Sequence, residues 1–258
     1  MLYAGVIPMK IYIPELAWSP YGLLVLTSVA IGFAVAIYLM RKAGVTKHTI
    51  LYTCILTSVF TVTNSVMGNM LISNDPRALG FSGLGAVVGM ILGVLVSGLI
   101  IKDKPESVMA SFIATAPLMY GLAKTGCLFG GCCHGKDYEG PFAIVYSGAN
   151  GGSYFPAQII DMTVFIAMFA VNLILIRKMK NKISAIYVIL ALLTVVRFLL
   201  EYLKYYHDGS LIASGQVSVL VAGAASIVLV TVWKFLLKAG KHRPLQARRT
   251  DLPISIIC

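Results

Sequence analysis

Four ionisable residues sit in stretches otherwise apolar enough for lipid: Lys124, Asp161, Arg197 and Glu201. Such a group at membrane depth costs at least a few kcal/mol, so each asks for a partner and is by default a functional candidate. Arg197 and Glu201, in VVRFLLEYLKYY, are four apart and share one face of a helix, with Lys204 three further along and near the interface. They form either a structural ion pair or a cation held ready for an anion. Snorkelling accounts for Lys124, whereas Asp161, in PAQIIDM ahead of a purely apolar run, is expected to face a polar cavity.

Cysteines stand at Cys54, Cys127, Cys132, Cys133 and Cys258, an odd number with one adjacent pair, which is unlike a secreted disulfide framework. Thiolates and imidazole bind zinc, so Cys127, Cys132, Cys133 and His134 are weighed as a metal centre. Adjacent cysteines rarely both reach one tetrahedral ion, and the chain has no C-x-x-C pair or second His cluster, so no metal is expected. A redox pair such as Cys127 with Cys132 stays open. By position alone, buried inert thiols at a close-packed helix end are the favoured reading.

The elements that must position these groups are membrane helices. Of 258 residues, 58% are hydrophobic and 12% charged, with mean hydropathy +0.85. A soluble domain carries roughly twice that charge. Apolar runs ended by charges or Pro/Gly/Asn turns place seven spans at 19–40, 50–73, 83–101, 107–127, 156–176, 183–203 and 215–236. They leave no room for a soluble domain, so a single transmembrane domain over 1–258 is expected. The N-terminal segment lacks the layout of a removed signal peptide.

Fifteen of the 21 basic residues fall in the connections after spans 1, 3 and 5 and in the tail: Arg41, Lys42, Lys47, Lys102, Lys104, Arg177, Lys178, Lys180, Lys182, Lys234, Lys238, Lys241, Arg243, Arg248 and Arg249. The opposite loops hold Lys10, Arg77 and Lys136. The positive-inside rule then predicts an outside N-terminus and a cytoplasmic C-terminus. Net charge +11 therefore needs no nucleic-acid partner, because anionic membrane lipid accounts for the basic tail.

Between Lys124 and Asp161 the chain is rich in glycine: Gly126, Gly130, Gly131, Gly135, Gly140, Gly148, Gly151 and Gly152, with Gly121 just before. Each weakens a helix by about 1 kcal/mol, so the chain is expected to leave the helix near Gly130 and continue as irregular backbone. Such backbone is tolerated at a membrane edge only against protein or water. Residues 134–155 are expected to cap a cavity, with a short strand at FAIVY. Exposed amides and a nearby lysine suit a phosphate-bearing lipid head group. A Gly-rich packing corner is the alternative.

These motifs resemble the prolipoprotein diacylglyceryl transferases, seven-helix enzymes of the bacterial inner membrane that move diacylglycerol from phosphatidylglycerol to a lipoprotein cysteine. The family signature Gly-Arg-x-Gly-Asn-Phe-x-Asn-x-Glu-x-x-Gly aligns without gaps to AKTGCLFGGCCHG, residues 123–135. Gly126 and Gly135 keep their places, Lys124 stands for the arginine, Cys127 and Gly130 for asparagines, and Cys132 for the glutamate. SPYGLL with Tyr21, PFAIVY, and FPAQIID with Pro156, Gln158 and Asp161 are similar to further landmarks, as are RFLLEYLK and GQVSVL with Gln216. The family's His-Gly-Gly-Leu-x-Gly motif falls at FSGLGAVVG, where Gly85 and Gly89 match but the histidine position reads Leu84, or Ser82 with a one-step slip.

The resemblance implies an all-α membrane transferase acting on an anionic, phosphatidylglycerol-like phospholipid and a lipoprotein precursor or similar acceptor, with no cofactor. Lys124, Arg197 and Glu201 would then act on the phosphate, with His134 as a stand-in base. Tyr21, Gly126, Cys127, Gly135, Gln158 and Asp161 would line the substrate site. A lysine gives a point charge where arginine gives a fork, so recognition at 124 is expected to be looser. Two other readings stand beside this one: an altered paralogue that binds lipid or lipidated peptide without transfer, and thiol chemistry at Cys132 or Cys133. The spans show no internal repeat or paired broken helices of the transporter kind.

Overall fold

The computed structural model describes residues 9–14, 16, 18–73, 82–147, 151–205, 207 and 211–241. Arg77, Gly148, Arg243, Arg248, Arg249 and Cys258 lie outside the described residues. Seven helices run α1 Tyr21–Lys42, α2 Lys47–Ser73, α3 Gly83–Ile100, α4 Pro105–Phe129, α5 Ala157–Lys178, α6 Lys182–Leu200 and α7 Ser214–Lys241. Each is long and apolar enough to cross a membrane, which makes the chain an all-α multi-pass membrane protein. The expected spans agree to within a few residues. The sixth differs most instructively, because α6 stops at Leu200 and a single tight turn, Glu201–Leu203, continues it.

Local chemistry explains the ends. Asn181 caps α6 by accepting from the amides of Ile183 and Ser184 at 3.0 and 3.3 Å, and Ser82 caps α3 by accepting from Gly85 at 3.2 Å. Helix α4 opens on Pro105 with Glu106 in its first turn, and closes at Gly130, where the glycine-rich stretch was expected to end it.

Helix α4 is the hub. It packs on α1 and α5 along much of its length and also touches α3 and α6, while α2 pairs closely with α3. That last pairing depends on small residues. A Cβ at Gly85 would stand 2.3 Å from the Asn64 carbonyl oxygen, one at Gly89 2.3 Å from that of Phe60, and one at Gly93 2.6 Å from Thr57 Cα. The Gly85 and Gly89 positions of the resemblance thus have a packing role, letting two backbones approach closely in a medium that supplies no hydrophobic drive between helices.

One end of the bundle is a tight apolar core with Met40, Ile91, Met109, Phe112, Ile113, Ile186, Ile189 and Trp233. The Trp233 indole N–H donates to the Leu95 carbonyl at 3.1 Å. Arg41 and Lys42 close α1 at this end, and Arg177 and Lys178 close α5. Lys104 donates to the carbonyls of Ala43 and Gly44, both at 2.9 Å. Beside it the Thr46 amide, helped by the Thr46 and Thr49 hydroxyls, holds the Asp103 carboxyl below its ordinary range.

The other end, where α1 and α5 begin and α4 finishes, carries a three-stranded sheet: β1 Ile11–Ile13, β2 Ile144–Tyr146 and β3 Gly152–Tyr154. β2 lies at the centre, parallel to β1 with Ile11 opposite Ile144, and antiparallel to β3 with Ile144 opposite Tyr154. The strand expected within FAIVY is β2. That residues ahead of the first helix would join it was not legible beforehand. A Lys10–Glu139 ion pair ties the same two segments together.

Candidate functional site

Beneath the sheet three buried charges from separate parts of the chain meet. Asp161, in the second turn of α5, is wholly buried, as is Lys204, and Lys124 of α4 is 5% exposed. A single Asp161 oxygen, Oδ2, receives Lys204 Nζ at 2.6 Å and Lys124 Nζ at 3.2 Å. The other oxygen, Oδ1, has no partner among the described residues. Lys204 was expected near the interface. It is instead a core member, because the chain turns inward after the Glu201–Leu203 turn and carries the ammonium under the cap. Lys124 does not snorkel, since its ammonium ends on Asp161 inside the bundle.

The local pair is also made: Arg197 Nη1 lies 2.6 Å from Glu201 Oε2. The Tyr120 ring links the two clusters, with Lys124 Nζ 4.8 Å and Arg197 Cζ 5.7 Å from its centroid. Three cations therefore face two carboxylates in a small, mostly buried region.

After α4 the backbone reverses through two left-handed residues, Gly131 at φ 64° and Cys133 at φ 57°. Glycine adopts this freely, whereas Cys133 does so at a cost that its surroundings must offset. They do so through its neighbours. The Cys132 amide donates to the Cys127 carbonyl at 3.1 Å, the buried Gln158 amide nitrogen donates to the Cys132 carbonyl at 2.9 Å, and Lys204 reaches the Cys133 carbonyl at 3.4 Å. The sulfurs of Cys127, Cys132 and Cys133 consequently lie within 4.8 Å of one another. The thiols of Cys127 and Cys132, as hydrogen-bond partners, and then Lys124 and Lys204 hold the Cys133 thiol below its usual range, and the same pairing raises that of Cys132.

Gln158 Nε2 also donates to the Tyr146 hydroxyl at 3.1 Å, and that hydroxyl donates to the Leu128 carbonyl at 2.8 Å. Burial pushes the Tyr146 hydroxyl up to about 12, which keeps it a donor at neutral pH. Gln158 Oε1, like Asp161 Oδ1, is buried with no partner among the described residues. His134 is sandwiched between the rings of Tyr154 and Tyr205, at centroid distances of 4.0 and 4.5 Å. Its Nδ1 lies 2.9 Å from the Gly135 carbonyl, which can only accept, so Nδ1 carries the proton and Nε2 is the basic atom of the neutral ring.

Tyr21, the first residue of α1, packs over the end of α4, where a Cβ on Gly126 would meet the Tyr21 carbonyl at 3.1 Å. Gly135 is equally constrained, since a Cβ there would stand 2.6 Å from Phe155 Cβ. The sequence reading missed Tyr120, Tyr146, Tyr154 and Tyr205, which bridge or frame the charged residues. Tyr146 alone carried a signal, being in the expected strand.

A family model described as prolipoprotein diacylglyceryl transferase matches residues 8–237, which takes in all the site residues above. A protein of Clostridium perfringens (strain 13 / Type A) named phosphatidylglycerol–prolipoprotein diacylglyceryl transferase 2 is 25% identical over 177 residues, covering 59% of this chain and 67% of that protein. The family match over nearly the whole length, on a chain of seven membrane-length helices, places it in the prolipoprotein diacylglyceryl transferase family.

Proposed function

We propose that the chain transfers the diacylglyceryl group of phosphatidylglycerol, or a closely similar anionic phospholipid, to the cysteine thiol of a lipoprotein precursor in a bacterial inner membrane, with the cap outside and the basic end in the cytoplasm. The observation that carries this reading is the convergence of Lys124 and Lys204 on one oxygen of Asp161, beside the Arg197–Glu201 pair. One positive charge is left over, which matches the single negative charge of a phosphodiester. Burial makes that surplus effective, because little water screens it.

In the reaction the acceptor sulfur forms a bond to the glyceryl carbon while that carbon's bond to the phosphate oxygen breaks. The electron pair leaves on glycerophosphate, and the thiol's proton ends on it or on water. Lys124 and Arg197 stabilise the phosphate as charge grows on it. Asp161 Oδ1 and Gln158 Oε1 offer acceptors to head-group hydroxyls. His134 Nε2 is the nearest candidate base to the Gly-rich turn in sequence, and the tautomer fixed by Gly135 leaves it able to take a proton. Arg41, Lys42, Arg177 and Lys178 at the far end support the orientation.

The test is transfer from phosphatidylglycerol vesicles to a lipoprotein-precursor peptide, read as a mass shift. Wild type adds the diacylglyceryl mass, while Lys124→Ala and Arg197→Ala lose most of the rate. A well-folded wild type that transfers nothing, from this lipid or from other anionic lipids, would sink the reading.

A further inference from the structure

We infer that Cys127, Cys132 and Cys133 form a three-thiolate site for Zn2+, open at its fourth position. Expectation ran against it, chiefly because adjacent cysteines rarely both reach one tetrahedral ion. The left-handed backbone at Gly131 and Cys133 removes that objection by folding Cys132 and Cys133 back toward Cys127. Three sulfurs bound at about 2.3 Å to one tetrahedral ion stand roughly 4 Å apart. Here all three sulfurs lie within 4.8 Å of one another, so binding needs only a slight contraction.

The cluster is also held in place before any ion arrives. Gln158 fixes the Cys132 carbonyl at 2.9 Å and Lys204 reaches that of Cys133 at 3.4 Å, both from buried side chains. Outer partners of this sort orient ligands and tune a metal. Among the described residues no His, Asp or Glu joins the group, which leaves the fourth position of a tetrahedral ion open. Three thiolates and an open position select a thiophilic d10 ion. The zinc complex carries one net negative charge, and the surplus from Lys124 and Lys204 supplies its counter-charge. Zinc and the lipid phosphate therefore draw on the same surplus, and the loaded form binds phosphatidylglycerol more weakly. That corollary rests on the proposed function, whereas the metal site does not.

The experiment loads the full-length, reduced, detergent-solubilised protein with Zn2+, removes loose metal with a weak chelator, and counts retained ions by mass spectrometry with no lipid present. About one ion per chain is expected, with none retained after Cys127→Ser or Cys133→Ser. Gln158→Leu, which removes no sulfur, weakens retention about 10- to 100-fold. Maleimide labelling of the unmodified protein avoids variants that fail to fold: Zn2+ protects Cys132 and Cys133 while Mg2+ does not. Retention equal in wild type and a triple serine variant, no protection, or retention of Cu+ without Zn2+ overturns the assignment. Zinc retention by a protein that transfers nothing even when metal-free would overturn the proposed function and leave the site standing.

Discussion

Two ionic clusters lie side by side at the capped end, and they are built in opposite ways. Arg197 and Glu201 are one helical turn apart, and the Arg197 side chain keeps 19% of its exposure. Such a pair needs only a helical backbone that runs from α6 into the turn after it. Lys124, Asp161 and Lys204 come from α4, from α5 and from the chain beyond α6, and they meet only when the bundle and its cap have closed. The local pair joins the last turn of α6 to the tight turn that continues it. The three-part cluster is a lock on the tertiary structure, and the same burial that makes it a lock concentrates its charge for use.

The sharpest way to break this contrast is Asp161→Asn, which leaves two buried ammonium groups without a carboxylate. Removing one partner of a buried pair costs about 3–5 kcal/mol, so the thermal midpoint in detergent should fall steeply and transfer should vanish. An unchanged midpoint would show that the lysines escape to water and that the lock does not exist. Glu201→Gln should cost less, about 1–3 kcal/mol, because Arg197 keeps a neutral acceptor and some solvent. If it cost as much as Asp161→Asn, the two clusters would be one network joined through Tyr120.

Gly89→Ala tests whether the helix pairing that supports the site is as close as it looks. A Cβ 2.3 Å from the Phe60 carbonyl forces α2 and α3 apart and should cost about 1–3 kcal/mol, read as a lower midpoint with the rate largely kept in the folded fraction. His134→Gln should slow transfer by about 100-fold or more if Nε2 is the base. A rate within a few-fold of wild type would confine His134 to holding the cap between Tyr154 and Tyr205. The smallest effect is expected from Lys124→Arg, which keeps the charge and adds a fork: lipid affinity should shift by no more than about tenfold.

The sequence by itself determined the seven helices, their order and the break at Gly130, because spanning length, charge at helix ends and glycine are local properties that a linear reading captures. It also determined the Arg197–Glu201 pair, whose spacing on a helix is fixed by the helix alone. Only the tertiary structure decided that Lys204 turns inward to Asp161, that β1 joins β2 across more than a hundred residues, and that Cys127, Cys132 and Cys133 share one space. The first and last depend on which way a side chain points after a turn, and the second on a backbone pairing between segments far apart in sequence. The left-handed φ at Cys133 is the clearest case: it reverses the direction of a side chain, and no spacing in the sequence encodes it.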